Sequence, residues 1–286
     1  MAVAVSYIQK FRTRRETLLH YSASSFFPVR IGQTFHERHK IEAKFGFGGS
    51  STVWLCRDRK DSTYKALKVG TYSSIENQES KVLTHLERCG STHDDRYCVR
   101  RSSDSFKITV PGAVHKCLVY EPLGMSLLEY VNLQPGKRLS MKAAAWVTTY
   151  LLMGLDYLHT CRVVHTDIKL DNILTTLPDD EEAILTKYIN TAHEDPVKVI
   201  DDNRSIYTSR TPDYGNGLTY PIICDLGMAV FGQDEYEGLI QPIPYRAPEV
   251  ILGMKWKSSA DIWNLEVLVC RLFSAQQFVI SLMLTI

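Results

Sequence analysis

An α+β fold is predicted, with a small antiparallel β lobe followed by a larger helical lobe. Two observations predict it. Strand-like alternation of apolar and polar residues is concentrated before residue 121, and helix-like spacing dominates after it. The composition fits a folded chain, because 286 residues with 44% apolar and 23% charged side chains suffice for one large domain or two lobes.

The elements follow in that order. Ile41, Ala43 and Phe45 alternate before a Gly-rich turn, which predicts the first strands of a meander. Helical spacing from residue 75 to 86 predicts a helix that carries Glu79 in an otherwise apolar stripe, and Ser73 with Glu76 predicts its capping box. A buried strand is predicted at 117–121, and a long helix at 140–160.

The predicted boundaries are an N-terminal extension at 1–29, a small lobe at 30–121 and a large lobe at 122–286. A polar stretch with prolines and acidic residues predicts an inserted surface segment at about 176–221. The final part, 264–286, is predicted to be an atypical tail, because no amphipathic spacing organises residues 275–286.

The charge balance excludes recognition by a global field. With 33 Lys and Arg against 32 Asp and Glu, neither nucleic acid nor an anionic membrane is an expected partner. Seven cysteines without a CxxC pair predict reduced thiols and no structural zinc site. The closing apolar run 278–286 is too short to cross a bilayer, so we expect a soluble monomer of the cytoplasm and nucleus.

Two features of the predicted β lobe suggest phosphate chemistry. The run GFGGSSTV at 46–53 places glycines where backbone N–H groups could approach phosphate oxygens, although such a turn by itself is more often only a turn. Lys68 shares a strand face with Ala66, where a lysine needs an anionic partner such as Glu79 or a phosphate. Lys65, on the opposite face, is expected to be solvated.

A third feature is the loop HTDIKLDN at 165–172. Asp167, Lys169 and Asn172 are suited to accepting a hydroxyl proton, neutralising a transferred phosphate and binding Mg²⁺. Asp225 follows an apolar strand, where a buried carboxylate would need a cation. Each carboxylate alone would more often be a turn or cap residue, but the ordered set favours chemistry.

The ordered set resembles the signature of eukaryotic protein kinases: the Gly-rich loop, Lys68, Glu79, HTDIKLDN, DLG at 225–227 and APE at 247–249. The stretches FFPVRIGQTF, STVWLCRD, LVYEPLGMSLLEYV, HTDIK and CDLG resemble the SR-protein-specific kinases, especially the fungal-type members. The resemblance covers roughly residues 30–265 and implies a two-lobed kinase fold.

The resemblance also implies roles for individual residues. Asp167 would be the catalytic base and Lys169 would steady the γ-phosphate, while Lys68 would hold the α- and β-phosphates and pair with Glu79. Asn172 and Asp225 would bind Mg²⁺. The implied ATP-binding residues are Gly46, Phe47, Gly48, Gly49, Ser51, Val53, Ala66, Lys68, Tyr120, Glu121, Leu123 and Leu174.

The sequence departs from the family pattern in four respects. Thr166 replaces an arginine that grips a phosphorylated activation loop, and residues 228–246 contain no Ser or Thr, so we expect no dependence on Ser/Thr phosphorylation there. Pro242 stands where a threonine commonly bonds the catalytic Asp and Lys. Glu266 stands where a buried helix has glycine and is expected to need a partner, and the large lobe is expected to be truncated at the C-terminus.

The expected function is ATP- and Mg²⁺-dependent transfer of phosphate to Ser in Arg/Ser-rich, splicing-related proteins. Acidic residues at 179–182 and at Asp234, Glu235 and Glu237 could attract such basic segments, although charge runs are usually solvated faces. The alternative is an impaired ATP-binding pseudokinase or a truncated scaffold fragment.

Overall fold

The computed structural model describes residues 25–72, 77–89, 92–195, 197–201, 204–215 and 217–273. The chain divides into two compact units. The first comprises Met1–Ile75, Ser102–Gly124 and Leu177–Gly215, and the second comprises Glu76–Arg101, Met125–Thr176 and Asn216–Ile286. The sequence predicted a single boundary after residue 121. In the structure, residues 177–215 of the insert belong to the first unit and residues 76–101 belong to the second. The lobe boundaries therefore stay a prediction.

The first unit is built on an antiparallel sheet of six strands in the order β1-β2-β3-β4-β6-β5. The alternating residues of the sequence form these strands because side chains point to opposite faces every second residue. The strands are β1 Thr34–Phe35, β2 His39–Phe47, β3 Ser51–Asp58, β4 Tyr64–Gly70, β5 Ser102–Val110 and β6 Ala113–Tyr120. A separate pair, β9 Lys198–Asp201 and β10 Arg204–Ile206, lies in the insert.

The two faces of this sheet bury different groups. On one face, Trp54, Leu67 and Val119 form a buried cluster together with residues that precede β1. On the other face, Ala43 and Leu55 are fully buried under a helix that the insert supplies. The helix of the insert is therefore part of the core of the first unit.

This helix, Glu181–His193, corrects the expectation that the insert is only a polar surface segment. Its buried residues are Ile184, Leu185, Tyr188 and Ile189. The pairs 184/188 and 185/189 are each four residues apart, so all four side chains lie on one face of the helix. Two glutamates in its first turn are favourable near the positive end of the helix dipole.

We expect Leu185→Ala to lower the free energy of unfolding by about 3 kcal/mol, because deletion of a buried leucine leaves a cavity. Leu185 is fully buried in the cluster with Ala43 and Leu55. Urea unfolding measures the loss. Lys187→Ala, on the exposed side of the same helix, is the matched control and should change stability little. Equal effects of the two substitutions would contradict the packing described for this helix.

The second unit is mainly helical. Its long helix begins after Ser140, whose hydroxyl accepts a hydrogen bond from Ala143 N at 3.2 Å, as expected for an N-cap. Within the described residues of both units, and numbered in chain order, the α-helices are α1 Gln78–Cys89, α2 Leu127–Leu133, α3 Met141–Thr160, α4 Glu181–His193 (the helix of the insert), α5 Pro248–Ile251 and α6 Ser259–Phe273. The remaining strands form the antiparallel pairs β7 Val163–Val164 with β12 Val230–Phe231, and β8 Ile173–Thr175 with β11 Pro221–Ile223.

Several expectations concern the ends and the surface of the described parts. Glu266, expected to be buried, lies on the exposed side of α6, because the helix turns Asn264 and Leu265 inward instead. The predicted capping box of α1 and residues 274–286 of the tail lie outside the described residues. None of the seven cysteines, all of which lie in the described residues, forms a disulfide. No helix in the described part of the chain combines the length and the apolarity that crossing a bilayer requires.

Candidate active site

One face of the sheet in the first unit carries several of the residues predicted to contact a nucleotide. In the register of the strands, Val53 is opposite Lys68, Lys68 is opposite Leu118, and Ala66 is opposite Tyr120. Because directly opposed residues point to the same side of a sheet, these side chains share a face. Ala66 and Tyr120 are buried and Lys68 is half-buried.

The Gly-rich segment closes the hairpin between β2 and β3. Gly46 lies in β2, and Gly48 N donates to Ser51 O at 2.9 Å across the turn. A Cβ placed on Gly46, Gly48 or Gly49 would meet no described atom within 4 Å, and none of the three has a positive φ. Since neither packing nor backbone conformation in the described structure requires glycine there, close approach of a phosphate group is a sufficient reason for it.

The strand β6 leads directly into the predicted adenine-binding backbone at Glu121 and Leu123. Lys65 Nζ lies 2.6 Å from Glu121 Oε1, and the Lys65 side chain is only 12% exposed. Lys65 is therefore an ion-pair partner and not the solvated lysine expected from the sequence. The half-buried Leu123 is followed by Gly124, which is buried. The side chain of Glu121, at the start of this backbone, is therefore oriented by a charge pair.

The second unit contains the predicted catalytic loop, and three of its residues meet. Lys169 Nζ lies 2.6 Å from Asp167 Oδ2, and Asn172 Nδ2 donates to the same oxygen and to Asp167 O, both at 2.8 Å. The Asp167 side chain is 17% exposed. The carboxylate is therefore held in one orientation while part of it stays accessible.

The loop is held by a buried carboxylate on α6. Asp261 is fully buried, and its two oxygens accept hydrogen bonds from the backbone N–H groups of His165 and Thr166, each at 2.8 Å. His159 Nε2 lies 3.0 Å from Asp261 Oδ2. Thr166 has φ 69°, an uncommon conformation for a β-branched residue, so these bonds help to hold a strained turn.

The rings and hydroxyls of the loop complete this arrangement. His165 Nδ1 accepts from Asp167 N at 3.2 Å, which leaves Nε2–H to donate to Cys224 O at 3.0 Å. This pattern requires the neutral ring. Thr166 Oγ1 donates to Met228 O at 2.9 Å. The threonine that replaces a phosphate-binding arginine thus bonds the start of the activation segment directly.

Asp225 and Asn172 lie at adjacent strand ends. β8 pairs with β11, and Cys224 N donates to Asn172 O at 2.8 Å. Asp225 is exposed, which corrects the expectation of a buried carboxylate, because it lies past the end of the apolar strand. It adopts the left-handed conformation (φ 65°, ψ 71°), which aspartate tolerates better than most residues.

These two side chains suit a hard cation. Because Asn172 Nδ2 is used on Asp167, its Oδ1 remains as an oxygen ligand, and Asp225 offers a carboxylate. Oxygen donors of this kind fit a divalent ion such as Mg²⁺. The remaining predicted residues of this unit are Glu79, buried in the first turn of α1, and Leu174, half-buried in β8.

The sequence did not identify the residues that anchor the activation segment. Gln241, which is buried, donates from Nε2 to Ala260 O at 2.8 Å and accepts from Ala247 N at 2.7 Å. Asn264 Nδ2 donates to Tyr245 O at 2.6 Å, and Arg271 Nη1 lies 2.5 Å from Tyr245 Oη. Burial raises the pKa of Tyr245, so its hydroxyl is protonated at neutral pH. Single polar residues without a motif gave no signal for these contacts.

The acidic residues proposed to attract basic segments already have basic neighbours. Asp234 pairs with Arg162. Glu235 lies 3.3 Å from Lys257, and Glu237 lies 3.9 Å from Lys255. Glu182 is paired with Arg57 at 2.7 Å. In-chain pairing reduces the field that these carboxylates offer to a partner.

The comparison with known proteins decides the family. The protein kinase domain family matches residues 39–201, which is more than half of the chain. The chain belongs to the protein kinase family. The structure also matches the crystal structure of a kinase domain, with a TM-score of 0.67. The match covers 88% of this chain and 69% of that one, at 24% sequence identity. The two-lobed α+β kinase fold predicted from the sequence is confirmed.

Two serine/threonine protein kinases are similar to this chain over most of its length. A serine/threonine protein kinase of Aspergillus fumigatus is 38% identical over 266 residues, which are 92% of this chain and 64% of that protein. The serine/threonine-protein kinase SRPK of Physarum polycephalum is 31% identical over 282 residues, which are 92% of this chain and 66% of that protein. The chain thus spans just under two thirds of the length of these relatives.

Proposed function

We propose that this kinase transfers the γ-phosphate of Mg·ATP to serine in Arg/Ser-rich segments of splicing-related proteins, as a monomer of the cytoplasm and nucleus. The observation that carries the proposal is the set of contacts around Asp167. One carboxylate oxygen is held by Lys169 and Asn172 at 2.6 and 2.8 Å, and the loop that presents it is bonded to buried Asp261. Positioning of this kind is what phosphoryl transfer requires of a protein.

Each of the candidate residues in the second unit has a separate role in the proposed transfer. Asp167 orients the serine hydroxyl and accepts its proton as the oxygen bonds to the γ-phosphorus and the bond to ADP breaks. The ammonium group of Lys169, beside Asp167, is available to neutralise the transferred phosphate. Asn172 and Asp225 would hold Mg²⁺, which when bound neutralises charge on the phosphates.

The nucleotide would be held by the first unit. Lys68, half-buried on the same sheet face as Val53 and Ala66, is suited to the α- and β-phosphates. The backbone at Glu121 and Leu123 offers an N–H and a C=O for the edge of adenine. Glycines without packing constraints of their own complete the phosphate side of the site.

The preference for Arg/Ser segments rests on likeness. The relative from Physarum polycephalum is named SRPK, and the sequence motifs resemble SR-protein-specific kinases. Because the exposed acidic residues of the activation segment are paired with Lys255, Lys257 and Arg162, a basic substrate would have to compete with these pairs. We therefore expect recognition of arginine to be sensitive to salt.

A transfer assay tests the proposal. The purified chain is incubated with Mg·ATP and an Arg-Ser repeat peptide, with an Arg-Ala peptide and a Lys-Ser peptide as controls. Transfer to the first peptide, with none to Arg-Ala and less to Lys-Ser, is the expected result. Stabilisation by Mg·ATP without transfer would instead support the pseudokinase alternative, and equal transfer to Lys-Ser would contradict the proposed specificity.

Activity is expected not to depend on Ser/Thr phosphorylation of the activation segment, residues 228–246. Thr166 bonds Met228 O directly, and Gln241, Tyr245 and Asn264 hold the far end of the segment without a phosphate. Phosphatase treatment before the assay should leave kcat unchanged. A large loss of kcat, restored by prior incubation with ATP, would show that a phosphate is required.

A further inference from the structure

The inserted segment reaches the backbone that is predicted to bind adenine. Tyr214, in the returning part of the insert, packs against Gly124, which follows Leu123 in the first unit. A Cβ on Gly124 would overlap Tyr214 Oη and would lie 2.6 Å from its Cζ and 2.7 Å from its Cε1. Gly124 has no positive φ, so its backbone does not demand glycine, and the nearest described atoms in the space of a Cβ all belong to the tyrosine side chain.

The turn that carries Tyr214 is constrained on both sides. Pro212 is buried and has a fixed φ. Gly215 N donates to Asp213 Oδ1 at 3.2 Å, and Gly215 has φ 84°, which closes the turn. The ring is therefore presented by a turn whose backbone conformation is restricted by a proline and by a hydrogen bond.

The rest of the returning segment is fixed to the strand that leads into the Gly-rich loop. Lys44, which is buried, donates from Nζ to Tyr207 O at 2.9 Å. The Tyr188 hydroxyl of α4 donates to Lys44 O at 2.5 Å and lies 3.3 Å from Arg210 O. Arg210 also pairs with Asp195. The insert thus joins β2, which carries Gly46, to the backbone at Gly124.

The two ends of the predicted adenine-binding backbone are consequently held by different contacts. Lys65 holds Glu121 at one end, and Tyr214 packs on Gly124 at the other. Hydrogen bonds to a ligand weaken steeply when donor and acceptor are misaligned, so the position of this backbone determines the affinity for adenine. Neither contact involves a group that reacts.

We propose that Tyr214 is a positioning residue for the nucleotide: its ring fixes the backbone from Glu121 to Gly124 so that this backbone can bond the adenine edge. This inference rests on the proposed function. It assigns a second role to the insert. The insert supplies α4 to the core of the first unit, and through Tyr214 it would also support the adenine site. The role predicts an effect on the KM for ATP and not on kcat, because binding is altered equally in the ground state and the transition state.

The test is a double-mutant cycle on Gly124→Ala and Tyr214→Ala. Each single substitution is expected to raise the KM for ATP about tenfold at nearly unchanged kcat, which is the size of effect that one misaligned hydrogen bond produces. Because Tyr214→Ala removes the ring that the added methyl group of Gly124→Ala would overlap, the double variant should have the KM of Tyr214→Ala alone and not the product of both effects. Tyr72→Ala, which removes an exposed tyrosine of the same unit, is the control.

Stabilisation by Mg·ATP in a thermal unfolding scan gives a second readout on the wild-type chain and the four variants. If Gly124→Ala fails to fold while the double variant folds, the overlap itself is supported. A wild-type chain that transfers phosphate, with the same KM for ATP in every variant, would overturn the inference and leave the proposed function intact. A wild-type chain that Mg·ATP does not stabilise would overturn the proposed function, and the positioning role with it.

Discussion

Replacement of Asp167 by alanine is expected to lower kcat about 10³-fold, within the range that a positioned general base contributes. The substitution removes the carboxylate that is proposed to receive the serine proton. It also frees Lys169 and Asn172 from their shared partner, Asp167 Oδ2. Binding of ATP should persist, because the residues predicted to hold the nucleotide belong mainly to the first unit. Single-turnover transfer to the Arg-Ser peptide measures the chemical step apart from product release.

Two further variants separate the base from its surroundings. Asp156→Asn alters a carboxylate of the same unit that lies on the exposed side of α3, and it should leave kcat within about twofold, as surface substitutions generally do. Asp167→Asn keeps the shape of the side chain and an oxygen for Lys169 but cannot take a proton at neutral pH. If Asp167→Asn retained wild-type kcat, orientation alone would explain the role of this residue, and its assignment as a base would be wrong.

The parts of the site that the sequence predicts are those whose members lie close together in the chain. Asp167, Lys169 and Asn172 span six positions, so a single tight loop is enough to bring them together. Lys68 and Ala66 share a face because a strand alternates. The structure brings together the residues of each such set, and their assigned roles stay predictions.

The contacts that the sequence did not predict join distant positions. Asp261 lies 95 positions after Thr166 and accepts a hydrogen bond from its backbone N–H. From the sequence alone, an aspartate near the start of a helix is explained equally well by the helix dipole. Tyr214 and Gly124 are also far apart in the chain. Neither contact has a local pattern: Asp261 bonds backbone N–H groups that every non-proline residue possesses, and nothing in the sequence near Gly124 indicates that a distant tyrosine fills the space of its absent side chain.

The insert shows a different reason for a wrong prediction. Its overall polarity indicated a surface segment, but a helix needs only one apolar face to join a core. Leu185, Tyr188 and Ile189 supply that face in α4, and exposed residues cover the opposite side. A test of helical spacing inside the polar stretch would have found it.

The second large effect concerns the support of the catalytic loop. Asp261→Ala is expected to lower the free energy of unfolding by about 4 kcal/mol, because it leaves buried N–H donors without an acceptor. The donors are the backbone N–H groups of His165 and Thr166, and His159 loses its contact at the same time. Urea unfolding of the second unit measures the loss.

Two comparisons show whether the loss comes from these bonds. Asp261→Asn keeps one carbonyl oxygen, so one of the two N–H groups has an acceptor. Its loss of unfolding free energy should be about half of that of Asp261→Ala. Glu266→Gln changes a carboxylate five positions further along α6 on its exposed side and should alter stability by less than about 0.5 kcal/mol. The strained φ of Thr166 adds a functional criterion. If Asp261 fixes this turn, folded Asp261→Asn protein will have a lower kcat at an unchanged KM for ATP. A folded variant with wild-type kcat would show that the turn keeps its geometry without the carboxylate.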